Sequence, residues 1–178
     1  MSEFEAAPAE DALDREREIW TGSQDTRARV RAVATGLHDP KTAGRVAERA
    51  ECAPNTARKH LEDLVSLGVV RRVEGEAGTR YVRNEAYFRW READDLAAAN
   101  STEALLDALA DLESQEAEFQ ETFDAPTPAA VALPEEGTHA DIEERLSTLS
   151  EWATVRRAIA RHRDALRIAR EDEERLAA

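Results

Sequence analysis

The sequence changes from helical to strand periodicity at one glycine, Gly68, and this change restricts the possible fold more than any other feature. Before Gly68, the segment APNTARKHLEDLVSLG places Ala57, Leu61 and Leu64 on one side of a predicted helix. Gly68 can adopt the left-handed conformation that ends a helix. After it, VVRRV and TRYVRN have the composition of two strands, joined by the turn EGEAG. The segment therefore predicts a helix followed by an antiparallel β-hairpin.

Two shorter helices are predicted before this one. The first, SQDTRARVRAVATGL, has Ser23 or Asp25 as its N-cap. Pro40 then favours a turn, and Thr42 can cap the second helix, TAGRVAERAEC. Small apolar residues on one side of the second helix would allow a neighbouring helix to approach closely. The residues predicted to face the core from these two helices are Val30, Val33, Leu37, Ala43, Val46, Ala47 and Ala50.

Charge is distributed unevenly along the 178 residues, which carry a formal net charge of -14. Residues 1–22 contain 7 acidic and 2 basic side chains, and residues 92–178 contain 22 acidic and 8 basic side chains. Residues 23–91, here called the basic segment, contain 14 basic and 9 acidic side chains. An acidic surface with only two lysines is typical of proteins from salt-loving archaea. That explanation does not cover the basic segment, which favours a polyanionic partner.

The pattern becomes specific over residues 42–84. It comprises a helix of small residues, a turn, a helix containing TARKHL, the sequence LVSLGVV, a hairpin with glycines in its turn, and an aromatic residue in RYVR. This segment resembles the winged helix-turn-helix transcriptional regulators of the broad ArsR/MarR/TrmB-like group, and the composition resembles that of a haloarchaeal member. The resemblance implies a mainly α fold with a small β-hairpin wing, in which a winged helix-turn-helix domain is followed by long C-terminal helices.

The resemblance also implies which residues contact double-stranded DNA. The third helix would enter the major groove with its N-terminal residues at base edges, where Asn pairs well with adenine and Arg with guanine. Thr42 would contact a phosphate, and the wing arginines would follow the DNA backbone or reach a minor groove. The carboxylates of Glu62, Glu74 and Glu76 would weaken binding locally. The residues predicted to contact DNA are Thr42, Asn55, Thr56, Arg58, Lys59, Arg71, Arg72, Arg80 and Arg83.

Two long helices with apolar stripes are predicted after the hairpin. Apolar stripes run along a helix after Asn100 and along a long helix near the C-terminus, and each stripe needs a partner. That partner is either the other helix or the same helix of a second chain. The stripe residues are Leu105, Leu109, Leu112, Phe119 and Phe123, and then Ile142, Leu146, Leu149, Trp152, Val155, Ile159, Leu166 and Ile168.

The chain is predicted to contain five regions. They are an acidic N-terminal segment (1–22), the winged helix-turn-helix DNA-binding domain (23–91), a helical extension (92–124), a linker (125–137) and a long C-terminal helix for dimerisation (138–178).

The sequence contains no candidate site for catalysis, for a metal or for a cofactor. No glycine-rich phosphate loop, nucleophile elbow or HExxH motif occurs, and the four histidines are far apart in the sequence. Metal-sensing ArsR-type regulators commonly carry paired cysteines near the third helix, whereas this chain has the single Cys52, interpreted as a packing residue. No apolar run is long enough to span a membrane, so we expect a cytoplasmic protein.

These observations predict a sequence-specific DNA-binding transcriptional regulator that forms a homodimer through its C-terminal helices and is not an enzyme. The alternative is a winged-helix protein–protein interaction module, or an adaptor subunit, without direct DNA binding. An apolar rather than basic surface beside the third helix would favour that alternative.

Overall fold

The computed structural model describes residues 25–75, 78–132 and 138–177 and confirms a mainly α-helical fold with one β-hairpin. The chain forms two compact units that divide between Tyr87 and Phe88. The elements are α1 (Thr26–Thr35), α2 (Ala43–Arg49), α3 (Pro54–Ser66), β1 (Val70–Gly75), β2 (Gly78–Arg83), α4 (Glu85–Ala99), α5 (Thr102–Phe123), a 3-10 turn (Pro128–Ala130) and α6 (His139–Ala177).

Two of the first three helices, α1 and α2, begin at side-chain caps that the sequence predicts. Asp25 is the N-cap of α1, and its carboxylate accepts the N–H three residues later at 2.7 Å. Thr42 caps α2 in the same way at 3.4 Å. Ser23, the other predicted cap of α1, lies outside the described residues. α3 has no side-chain cap and instead starts with Pro54, whose missing N–H needs no partner in the first turn.

Apolar side chains of α1, α2 and α3 form the core of the first unit. All seven core residues predicted on the first two helices are buried, and Ala57, Leu61 and Leu64 of α3 are buried with them. Complete burial of a Val or Leu side chain contributes roughly 1.5–3 kcal/mol, so this core is the main source of stability for a unit of this size. Gly68 follows α3 with a φ of 74°, as predicted.

The hairpin is attached to the helices at its base and along β2. β1 and β2 are antiparallel, with Val70 opposite Arg83. Lys41, in the turn before α2, forms a bridge with Tyr81 through two backbone hydrogen bonds of 2.9 and 2.7 Å. The Asn84 side chain donates to the Gly68 carbonyl at 2.6 Å. These contacts fix the position of the hairpin relative to α2 and α3.

α5 and α6 of the second unit pack against each other within one chain and run antiparallel. The Thr102 hydroxyl at the start of α5 donates to Glu173 near the end of α6 at 2.6 Å. Further along, Arg163 of α6 contacts Glu113 of α5 at 2.7 Å. α6 is 39 residues long, and no helix in the described ranges is both long and apolar enough to cross a membrane.

The apolar stripes of α5 and α6 meet in the core of the second unit. Trp152 has no exposed surface and stacks on Phe119 and Phe123, with ring centroids 6.0 and 5.8 Å apart. The guanidinium of Arg145 lies 5.2 Å from the centre of the Phe123 ring. A second cluster, to which α4 contributes, contains Ala93, Leu105, Ala165, Leu166 and Ile168.

Candidate nucleic-acid interface

The exposed side of α3 carries the polar residues that the sequence assigns to base contacts. Asn55, Arg58 and Lys59, here called the α3 face, are exposed and occupy positions i, i+3 and i+4 of the helix, so they are neighbours. Thr56 is half-buried on the flank. Within the part of the chain that the structure describes, the α3 face side chains form no hydrogen bond or ion pair. They are therefore available to a molecule outside the fold.

Glu62 lies one turn after the α3 face and is bound to the hairpin. Its carboxylate accepts a hydrogen bond of 2.6 Å from the hydroxyl of Tyr81, a residue that is 2% exposed. Burial, then the hydrogen bond and the negative charge of Glu62, raise the pKa of Tyr81 to about 12. Glu62 therefore helps to hold the hairpin on α3, which sequence reasoning did not foresee when it treated this carboxylate as a free charge.

Two arginines, Arg58 of α3 and Arg72 of β1, act electrostatically on the same hydroxyl. Burial and Glu62 dominate the raised pKa of Tyr81, and the charges of Arg58 and Arg72 act on that pKa in the opposite direction. Arg72 is opposite Tyr81 in the strand register and pairs with Glu74 at 3.0 Å. Arg58 of the α3 face and Arg72 of the hairpin thus both act on the hydroxyl that joins β2 to α3.

The four wing arginines divide between the two faces of the hairpin. Paired residues of an antiparallel ladder point to the same face, and successive residues alternate. Arg72 and Arg83 therefore share the face of the buried Tyr81, whereas Arg71 and Arg80 lie on the opposite face. Arg71 and Arg80 form no hydrogen bond or ion pair in the described ranges. The register thus gives the four residues two different surroundings.

Arg83 and Thr42 already have roles inside the fold. The Arg83 guanidinium donates to the carbonyl of Thr35 at 3.1 Å and pairs with Glu85 at 3.2 Å, so it links β2 to the end of α1. The Thr42 oxygen accepts the N–H of Arg45, but the hydroxyl proton stays free to be donated. Because its guanidinium is already engaged by Thr35 and Glu85, Arg83 is a weaker candidate for DNA contact than Arg71 or Arg80. Glu76 lies outside the described residues.

Arg29 is a structural residue that the sequence analysis missed. It is 7% exposed, and its guanidinium donates to the carbonyl of Ala50 at 3.0 Å and to that of Glu51 at 3.4 Å. These carbonyls follow α2, where the helix dipole favours a positive charge. Glu51 has a φ of 50°, which is uncommon for a residue with a side chain. Arg29 therefore stabilises the turn that positions α3.

Cys52 lies in the same turn and is half-buried. Burial raises the pKa of its thiol, an effect that the charge of Arg29 and the backbone N–H of Ala57 only partly oppose. A thiol with a raised pKa is a poor nucleophile. No group of three or more His, Cys, Asp or Glu residues that could hold a metal ion occurs in ranges 25–75, 78–132 and 138–177.

Comparison with known proteins identifies a family but no activity. Residues 24–169 match the family model of DUF7342, which is described as a family of unknown function. A search of curated proteins found no match. Among solved structures, human N-acetylserotonin methyltransferase in complex with SAM is similar over 87% of this chain and 48% of that chain, with 14% identity and a TM-score of 0.32. The chain thus spans about half the length of that enzyme. This low score carries no argument about fold or activity.

Proposed function

We propose that this chain, which belongs to the DUF7342 family, is a sequence-specific DNA-binding protein of the cytoplasm that regulates transcription. The observation that carries the proposal is the α3 face, where Asn55, Arg58 and Lys59 are exposed together without partners in the described part of the chain. Elsewhere many arginines are paired with carboxylates, as in the contact between Arg163 and Glu113. Unpaired cations beside a hydrogen-bonding amide suit a ligand that offers both phosphates and base edges.

The proposed docking places α3 in the major groove of double-stranded DNA. Arg58 can form a bidentate contact with guanine and Asn55 with adenine, while Lys59 reaches a phosphate. Arg71, Arg72 and Arg80 of the hairpin, together with the Thr42 hydroxyl, supply further phosphate contacts. In concentrated salt counterion release contributes little to the affinity, so base contacts and shape must provide more of it.

The test is a binding experiment with variants of the α3 face. A target sequence is first selected from random duplexes with the wild-type protein at high salt. Arg58→Ala and Asn55→Ala are then compared by fluorescence anisotropy, and each should lose about 1–3 kcal/mol of specific binding, which corresponds to roughly 5- to 150-fold in Kd. Arg31→Ala is the matched control, since Arg31 is exposed on α1 and lies outside the α3 face.

Both α3 variants should keep the wild-type circular dichroism spectrum and Tm, because neither side chain is buried or hydrogen-bonded in the fold. Wild-type affinity in both variants would show that α3 is not the recognition helix. An equal loss of affinity in Arg31→Ala would show that binding depends only on the overall charge of the protein. Failure of the wild type to enrich any duplex would refute DNA binding itself.

We further propose that two copies associate through the second unit, so that two α3 helices can contact one duplex. A groove of about 360 Å³ lies between α5 and α6, with a floor of Leu106, Leu109 and Leu166. Leu106 is 43% exposed although it is a large apolar side chain. The rim of the groove carries both signs of charge, from Arg167 and Glu171 among others, so the surface is suited to a second copy of itself.

Light scattering after size-exclusion chromatography tests this association. Leu106→Asp should convert a dimer into a monomer, because it buries a carboxylate in the proposed interface. Leu176→Asp is the control, since Leu176 is 88% exposed and lies outside the groove. A wild-type monomer at high protein concentration, or a Leu106→Asp dimer, would refute the proposed association.

One observation favours the alternative function, an interaction module that does not bind DNA. Leu67, at the end of α3, is 61% exposed and lines a groove of about 340 Å³ together with Leu64 and Val69. This groove is distinct from the α3 face and could receive a protein partner, which would also meet the charged residues Asp25, Arg27, Arg31 and Asp63 in its lining. A stoichiometric partner lost in Leu67→Asp, combined with no enrichment of any duplex, would favour the interaction module.

A further inference from the structure

The second unit contains a cavity of about 380 Å³ between α4 and α6. Arg89 and Glu92 line it from α4, and Arg157, Arg161 and Asp164 line it from α6. Ala158 and Ala160 add small apolar surface to its wall. The volume falls within the range of roughly 300–1,000 Å³ that is usual for small-molecule sites. Three arginines and two acidic residues thus line one surface cavity of metabolite size.

Both carboxylates that line this cavity pair with an arginine other than Arg89 and Arg157. Neither Arg89 nor Arg157 pairs with a carboxylate in the described ranges. Glu92 pairs with Arg161 at 3.8 Å. Asp164 contacts Arg167 at 3.4 Å. Arg157 donates only to the Thr154 hydroxyl, at 2.8 Å. Arg89 forms no hydrogen bond or ion pair with any residue that the structure describes.

Carboxylates are abundant in this part of the chain. Residues 92–178 hold 22 acidic and 8 basic side chains, yet neither Arg89 nor Arg157 pairs with a carboxylate in the described ranges. An arginine left without a carboxylate in a concave site keeps its donors for a ligand. Guanidinium groups bind carboxylates and phosphates in a bidentate manner, more strongly than they bind neutral groups.

We propose that this cavity binds a small organic anion, whose carboxylate or phosphate group is held by Arg89 and Arg157. The alanine surface would contact the hydrocarbon part of the ligand, and the Glu92–Arg161 pair would limit how much further negative charge the site accepts. This inference does not rest on the proposed DNA binding, since it concerns other residues and its test uses no DNA.

The test measures binding of three probes to the full-length protein: benzoate and citrate as carboxylates, and glycerol 3-phosphate as a phosphate. Isothermal titration at constant potassium chloride concentration gives the affinity. Chemical shifts of the arginine side-chain N–H groups show which residues respond. At least one probe should bind saturably at one site per chain, and the affected signals should include those of Arg89 and Arg157. Comparison of the probes separates a carboxylate ligand from a phosphate ligand.

The double variant R89A/R157A should weaken that binding by about tenfold or more, since it removes both proposed anion ligands. Both residues are exposed, so the variant should keep the wild-type Tm, which distinguishes a lost site from a lost fold. Arg175→Ala is the control, because Arg175 is exposed on α6 and lines neither this cavity nor the groove between α5 and α6. The proposal is wrong if none of the three probes binds saturably, or if R89A/R157A binds as tightly as wild type.

Discussion

Replacement of Tyr81 by Phe tests how the hairpin is held on α3. Phe keeps the buried ring but removes the hydroxyl that donates to Glu62 at 2.6 Å. A hydrogen bond to a charged acceptor contributes about 1.5–3 kcal/mol. Glu62 is only half-buried, so water can partly replace the lost donor. We therefore expect Tyr81→Phe to lower the free energy of unfolding by about 1–2 kcal/mol at neutral pH.

The same substitution should change how stability depends on pH. In the folded protein the pKa of Tyr81 is raised from 10.0 to about 12 by burial and by Glu62. The pKa of Tyr81 is higher in the folded protein than in the unfolded chain, so folding favours the protonated hydroxyl. The stabilisation that this preference provides is fully present below pH 10 and is lost as the pH rises from 10 to 12. The loss amounts to about 2.7 kcal/mol, at 1.36 kcal/mol for each pH unit between the two pKa values. Phe cannot ionise, so the variant does not share this loss.

Urea denaturation followed by circular dichroism measures both effects. The wild type should be more stable than Tyr81→Phe at neutral pH, and the difference should shrink and then reverse as the pH approaches about 12. The difference in tyrosinate absorbance between wild type and Tyr81→Phe gives the pKa of Tyr81, and Glu62→Gln should lower that pKa by removing the negative charge. A difference between wild type and Tyr81→Phe that stays constant across this pH range would refute the reasoning.

Three further predictions concern stability and are measured by urea or thermal denaturation. Arg29→Met should cost about 2–4 kcal/mol because the buried Ala50 carbonyl and the partly buried Glu51 carbonyl lose their donor, whereas the exposed Arg31→Met should cost less than about 0.5 kcal/mol; equal effects would contradict the capping role. Gly68→Ala should cost about 1–2 kcal/mol because its φ is positive, while Gly36→Ala, with a φ of -94°, should be nearly neutral; the reverse order would refute the assignment. Trp152→Ala should cost about 3–5 kcal/mol, and a loss below about 1 kcal/mol would show that the aromatic cluster does not stabilise the second unit.

Local signals in the sequence were sufficient for much of the fold. The cap at Asp25, the cap at Thr42 and the helix stop at Gly68 each depend on neighbouring residues, and all three occur in the structure. The apolar spacing likewise identified the buried side of each of the first three helices, because helical periodicity places those residues on one face.

What the sequence could not predict depends on contacts between distant residues. Arg29 lies between Arg27 and Arg31 and carries no local sign of burial, since its carbonyl partners are 21 and 22 residues away. The division of the wing arginines depends on strand register, in which a shift of one residue would exchange the faces of Arg71 and Arg72. Register comes from the assembled unit rather than from the composition of either strand.

The bridge between Lys41 and Tyr81 has a consequence for the order of folding. All of α2, α3 and β1 lie between the two residues that it joins, so its formation requires the closure of a long loop. Contacts between α2 and α3 are much more local and can form before that closure. We therefore expect the bridge to form late in folding, after the contact between α2 and α3.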